Sequence, residues 1–265
     1  MPETPFSQKY GPWALVTGAA MGMGAAFARK LAGLGLDLIL VDVQRAALTQ
    51  TADNLALDFA VQVKPVTVDL SRPDFMESLA PAIDGLEIGL LVNNAGISRI
   101  GEFLDVPLEE HLKVLDVNAR ASLILTHAVA PQMVARGRGG ILFVSSLSAA
   151  HGAALVSSYA GTKGLLWVFG QSLWDELRFH GVDVLVTPLG TTDTPGWREG
   201  NAKLPPNAFV MSPDETAAEA LAALGKTPTY TPGRKNRLSF WLLNLLGLKK
   251  AIQTVGDEMR RMYKP

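Results

Sequence analysis

Tyr159 and Lys163 lie one helical turn apart in Ser157-Ser158-Tyr159-Ala160-Gly161-Thr162-Lys163. On a helix the two share a face. A phenol titrates near about 10 and is a poor proton carrier at neutral pH. A neighbouring ammonium stabilises the phenolate and is expected to lower that value. Such a pair can move a proton to or from an alcohol oxygen. Ser146 follows an apolar run at 139–144 and can donate a hydrogen bond to the same oxygen, although alone it reads as a turn serine. Asn118, in Asp116-Val117-Asn118-Ala119, falls inside a long helical pattern. Asparagine is a poor helix former, and alone it reads as a solvent-facing polar residue.

A second kind of chemistry belongs to Thr17-Gly18-Ala19-Ala20-Met21-Gly22-Met23-Gly24. The apolar run before it reads as a buried strand, and Ala25-Ala26-Phe27-Ala28-Arg29-Lys30-Leu31-Ala32 after it reads as a helix. Glycines on a strand-to-helix turn let a pyrophosphate approach the unpaired N–H groups of the helix's first turn. The spacing Gly-x3-Gly-x-Gly departs from the common Gly-x-Gly-x2-Gly fingerprint, so the loop by itself is also compatible with an ordinary glycine-rich turn. Asp42 closes the next apolar run, 36–42, where a ribose 2′-hydroxyl needs an acceptor. Its alternative use is as the cap of the helix predicted over 44–59. The same carboxylate repels a 2′-phosphate. Neither Met21 nor Met23 offers it a counter-charge, and Arg45 is the nearby cation. NAD is therefore expected over NADP.

The elements that must position these residues alternate. Strands are expected at 13–16, 36–42, 61–68, 86–92, 139–144 and 182–187, with helices at 74–83, 107–135 and 157–180 among those between. This predicts βαβ units around a parallel sheet in one domain, residues 1–265. Pro65 places the 61–68 run at a sheet edge or starts the strand after it. Residues 190–212, with Pro195, Pro205 and Pro206, form a long irregular stretch read as a substrate loop. Ser212-Pro213-Asp214-Glu215 then opens a helix with a capping serine and a glutamate at the reciprocal position.

With 48% hydrophobic residues in 265, the chain can bury a sizeable core. A net charge of −1 gives no case for nucleic acid. The absence of cysteine excludes disulfides and thiolate ligands. His111, His127, His151 and His180 form no metal-ligand pattern, so no metal is expected. His151 reads as a loop histidine. No signal peptide or membrane span is legible, and a cytoplasmic location is expected.

Taken together, these residues resemble the short-chain dehydrogenase/reductase family over roughly 10–195. Thr17-Gly18-x3-Gly22-x-Gly24 looks like its cofactor loop, and Asn93-Asn94-Ala95-Gly96 like its fourth-strand motif. Asn118, Ser146, Tyr159 and Lys163 match its catalytic set in order and spacing. The resemblance implies a Rossmann-like, doubly wound α/β fold of about seven parallel strands, with helices on both faces. It implies hydride transfer between NAD(H) and a secondary alcohol or ketone. Tyr159 would be the acid/base, with Lys163 on the nicotinamide ribose, Ser146 on the substrate oxygen and Asn118 holding a relay water. Gly18, Ala20, Met21, Gly22, Met23, Gly24, Asp42, Asp69, Leu70, Asn94, Ala95, Gly96, Tyr159, Lys163, Pro188, Thr191 and Thr194 would line the cofactor. It also implies a homodimer or homotetramer paired through the Asn118 and Tyr159 helices. One departure stands out. In Pro188-Leu189-Gly190-Thr191-Thr192-Asp193-Thr194 an extra residue separates proline from glycine, which leaves Leu189 against the substrate in doubt.

Two rival readings are an NADPH-linked 3-oxoacyl or keto reductase and a dinucleotide sensor without turnover. The intact catalytic set argues against the sensor. Leu147, Leu155, Leu189, Trp197 and Phe209 hint at an apolar, bulky substrate. The extension at 234–265 is leucine-rich. Leu238, Trp241, Leu242, Leu245, Leu246 and Leu248 are expected to be buried, over the substrate site, against another subunit or in the core.

Overall fold

In the computed structural model, which describes residues 5–199 and 209–263, all six strands run parallel in the order β3-β2-β1-β4-β5-β6. They are β1 (Trp13–Thr17), β2 (Asp37–Asp42), β3 (Val63–Thr67), β4 (Ile88–Asn93), β5 (Gly139–Ser146) and β6 (Val182–Leu189). Every residue of β1 and β4 is buried. That is why these strands read as unbroken apolar runs: helices cover both faces. Alternate residues divide the core. Ala14, Val16, Leu38 and Leu40 pack on one face and Leu15, Ile39 and Val41 on the other. β3 is the edge, and Pro65 sits in it opposite Leu40.

The helices in chain order are α1 (Phe6–Tyr10), α2 (Gly22–Gly33), α3 (Arg45–Asp58), α4 (Phe75–Ile83), α5 (Leu108–Leu115), α6 (Ala121–Arg136), α7 (Ser148–His151), α8 (Ser157–Leu177), α9 (Pro195–Glu199), α10 (Pro213–Ala223), α11 (Arg234–Leu245) and α12 (Leu248–Tyr263). α2 and α10 lie on the first face; α4, α6 and α8 lie on the second. α10 begins as expected: Ser212 accepts from the Glu215 N–H and donates to its carboxylate.

Two expectations need correction. The sheet has six strands among the described residues, not seven. The segment where a seventh would pair touches β6 at one point, Thr229 beside Val186, between Pro228 and Pro232. Proline has no N–H to give, so the ladder cannot extend. The single helix predicted over 107–135 is α5 and α6 joined by a π-helical turn, Asp116–Arg120, with Asn118 at its centre. The substrate loop at 190–212 lies partly outside the described residues.

Candidate active site

The strand order reverses between β1 and β4, and a ligand crevice opens beyond the carboxyl ends of the strands at such a point. All four catalytic candidates and the glycine loop lie at this end. The loop is tied down by Thr17 and Asn94. Thr17 Oγ accepts from the N–H groups of Asn94 and Ala95, both at 3.0 Å. Asn94 Nδ2 donates to the carbonyls of Thr17 at 2.8 Å and Gly18 at 3.2 Å. A Cβ at Gly24 would overlap the Gly18 carbonyl oxygen, and Gly22 has φ +58, in the left-handed region. Met21 stands at the N-cap of α2 and offers no side-chain cap, and the helix has no acidic residue in its first turn. Its N-terminal donors and positive dipole end therefore face the crevice.

Asp42 is 8% exposed, and the cap position of α3 falls to Gln44. One carboxylate oxygen accepts from the Ala20 N–H and the other from the Gln44 N–H, each at 3.0 Å. It thus ties β2 to the glycine loop while each oxygen keeps a free lone pair. Asp69 turns back onto Ser71, and Leu70 is buried beside it. Thr194 comes over the loop from the far side: a Cβ at Gly22 would lie 3.2 Å from its Cβ. The extra residue before Gly190 is absorbed by β6, which runs on to Leu189, whose carbonyl accepts from Leu147 N–H. Leu189 belongs to the core on the α2 face. Leu155 is also buried, held at φ +66. Pro188 pairs beside Ser145, and the Thr191 carbonyl accepts from Met211 N–H.

Asn118 is fully buried, against the solvent-facing reading of it alone. Its Oδ1 accepts from Ile97 N–H at 2.8 Å, and its Nδ2 donates to the Ile97 carbonyl at 2.9 Å and Thr162 Oγ at 3.1 Å. Thr162 in turn donates to the Tyr159 carbonyl. The side chain clamps the chain after β4 to α8. Lys163 is 2% exposed and donates to the Val144 carbonyl at 2.8 Å. Burial alone brings its pKa down to about 8. Ser146 Oγ accepts from the hydroxyl of Ser148 at 2.9 Å and its N–H at 3.2 Å, leaving its own hydrogen free to donate.

The expected lowering of the Tyr159 phenol is reversed. Burial pushes it up, and its hydrogen bond with Ser146 pulls the other way without cancelling the rise. The Lys163 ammonium stands 5.7 Å from the Tyr159 ring centroid and is committed to a carbonyl. α12 contributes to that burial: its Val255 and Met259 pack, as Tyr159 does, against the cluster of Ala153, Val156 and Ala160. His151 is not a loop residue either: it ends α7, is buried, and meets Asn244 Oδ1 at 3.2 Å and the Phe240 ring. The tie that Thr17 makes to Asn94 and Ala95, the roles of Ser148 and Thr162 and the α12 contacts were not foreseen in the sequence. Only Thr17, at the end of a buried strand, carried a local signal.

Fold and site together define an α/β oxidoreductase acting on CH–OH or keto groups. The short chain dehydrogenase pattern matches residues 12–205, and the chain belongs to that family. It is 34% identical over 255 residues to a very-long-chain 3-oxoacyl-CoA reductase of Laccaria bicolor, covering 93% of this chain and 75% of that one. It is 30% identical over 237 residues to a 7beta-hydroxysteroid dehydrogenase of Collinsella aerofaciens, covering 87% and 89%. A solved 7beta-hydroxysteroid dehydrogenase structure superposes with a TM-score of 0.88 at 27% identity, over 95% of this chain and 99% of its own. That likeness extends past residue 205 into the C-terminal helices. A Sphingobium yanoikuyae short-chain dehydrogenase in complex with NADPH matches with a TM-score of 0.75 at 28% identity, covering 89% and 95%. A Brucella melitensis 3-oxoacyl-[acyl-carrier protein] reductase with bound NAD matches at 0.72 and 28%, covering 88% and 94%.

Proposed function

We propose that the protein interconverts a secondary alcohol and a ketone on a bulky apolar substrate, with NAD(H) as partner. The observation that carries this is the convergence of Ser146, Tyr159 and Lys163 beside the Asn118 clamp, below the glycine loop. The cradle fits a nicotinamide dinucleotide. The open first turn of α2 suits the pyrophosphate, Asp42 the adenosine ribose, and Lys163 the second ribose through N–H groups that Val144 leaves unused. The dinucleotide supplies or accepts the hydride. Tyr159 gives a proton to the substrate oxygen in reduction and takes it back in oxidation. Ser146, oriented by Ser148, donates to the same oxygen. Asn118 is a positioning residue, since its side chain is committed to Ile97 and Thr162.

Val156, Val255 and Met259 form an apolar wall beside Tyr159, which suits a large apolar body next to the reacting carbon. The names of the two curated relatives, a 3-oxoacyl-CoA reductase and a hydroxysteroid dehydrogenase, are consistent with such substrates. Exposed Leu108, Leu112, Leu115, Leu165 and Val168 on α5 and α8 support pairing of two copies there.

The test is turnover of hydroxysteroids and 3-oxoacyl thioesters with NADH and NADPH. Tyr159→Phe should keep cofactor binding and lower kcat by about 10²–10⁴-fold. Retention of most activity would remove Tyr159 from the chemistry. Asp42→Ala should shrink the preference for NADH over NADPH. Faster turnover with NADPH in the unmodified protein would favour the NADPH-linked reductase reading.

A further inference from the structure

The C-terminal helices present an outer face that the active site does not explain. α11 docks through Phe240, Asn244 and buried Asn236: Phe240 lies against His151 and Trp167, and Asn244 bonds His151. On its other side Leu238, Trp241, Leu242 and Leu245 recur at helical spacing and are 55%, 57%, 49% and 63% exposed. Leu246, Leu248 and Ile252 continue the exposed apolar surface past the turn into α12. Of the three places expected to bury these leucines and the tryptophan, the core of this chain is not the one. Exposed apolar patches of this kind mark contacts.

The charge around the patch indicates what covers it. Between Glu219 and Asp257 there is no acidic residue, while Lys226, Arg234, Lys235, Arg237, Lys249 and Lys250 are all basic. The chain as a whole has a net charge of −1, so this segment stands apart from it. Arg234 and Lys235 sit in the first turn of α11, Lys249 and Lys250 in the first turn of α12, and neither turn holds an acid. Cations there oppose the helix dipole and do not serve the helices themselves. Arg234, Lys249 and Lys250 make no ion pair among the described residues. Arg237 is paired with Glu219, but a second copy brought to this face by a twofold axis would set the unpaired cations Arg234, Lys249 and Lys250 against their own equivalents. A bilayer with anionic headgroups answers both features: its interface takes the leucines and tryptophan, and its charge takes the lysines and arginines.

We propose that α11 and the start of α12 form an interfacial surface that seats the protein on an anionic lipid bilayer. No helix among the described residues is long and apolar enough to cross a membrane, so the contact is a lateral one. It does not depend on the proposed reaction.

The test is cosedimentation of the full chain with vesicles of phosphatidylcholine, alone or mixed with phosphatidylglycerol. Two double variants are compared, Leu242→Glu with Leu245→Glu, and Lys249→Glu with Lys250→Glu. Far-ultraviolet circular dichroism and Tm report folding, and light scattering reports mass. The full chain should bind the mixed vesicles and not phosphatidylcholine alone, and about 1 M salt should weaken the binding. Each folded double variant should bind about tenfold or more weakly. The lysine pair is exposed, so that variant remains informative if the leucine variant fails to fold. Absence of binding by the full chain, or unchanged binding by the lysine variant, would overturn the proposal. So would a dimer that the leucine variant splits while vesicles bind neither protein.

Discussion

The glycine loop and the C-terminal helix pair are held in different ways. The loop is fixed by backbone and short polar contacts, namely Asn94 to the Thr17 and Gly18 carbonyls and Asp42 to the Ala20 N–H. Gly18 and Gly24 have no room for a methyl group. The helix pair rests on Val255, Met259 and Phe240 and on long polar side chains, with Asn244 Oδ1 accepting from His151 Nε2 and Arg237 donating to Glu219. Its own glycine, Gly256, has ordinary space, the nearest atom to an added Cβ being Arg260 Nη1 at 3.4 Å. In the first region residue identity is dictated by geometry; in the second, hydrophobic shape suffices, and many sequences could supply it.

The difference is sharpest in a pair of identical substitutions. Gly24→Ala should have the largest effect. Its Cβ would collide with the Gly18 carbonyl and lie 2.8 Å from Asn94 Nδ2. Overpacking of this kind costs about 1–3 kcal/mol or more, so a lower Tm and at least about tenfold weaker NADH binding should follow. Unchanged calorimetric and NADH titrations would remove the contrast.

Lys163 lies between the two regions and gives an intermediate effect. Its folded pKa of about 8 is below that of an unfolded lysine, near about 10.4. Between about pH 8 and 10 the unfolded chain therefore holds a proton that the folded one has released. Stability of the cofactor-free protein should rise across that window, by about 2 kcal/mol from this group. Lys163→Met should lack that rise in urea unfolding measured at successive pH values. Equal slopes in the two proteins would mean that the ammonium is not held in a desolvated site.

Gly256→Ala should give the smallest change, and of opposite sign to Gly24→Ala. A helix-interior glycine with free space gains about 0.5–1 kcal/mol on conversion to alanine. A small rise in Tm with unaltered kcat would bear out the looser packing of α12. A fall in Tm comparable to that of Gly24→Ala would show the two regions to be equally constrained.

Much of this fold was legible because its constraints are local. Apolar runs ending in glycine, asparagine or serine marked the strands and their carboxyl ends, and Pro65 marked the edge. Asn118 was misread in isolation because its partners, Ile97 and Thr162, are distant in sequence and carry no motif. The Tyr159 phenol was expected to fall because Lys163 is its neighbour on α8. It rises because burial outweighs its hydrogen bond with Ser146, and α12, from the far end of the chain, packs into the same cluster.

By itself the sequence determined the alternating strands and helices, the glycine turn and the placing of Ser146, Tyr159 and Lys163 at the sheet's ligand end. Those features depend on residue type and short spacing. Tertiary structure alone decided the six-stranded sheet, the burial of Asn118 and the direction of the tyrosine shift. It also decided which side of α11 faces the protein and which faces outward. The helix has apolar residues on both sides, and periodicity cannot choose between them. The choice was made by His151 and Trp167, which offer a partner to one side only.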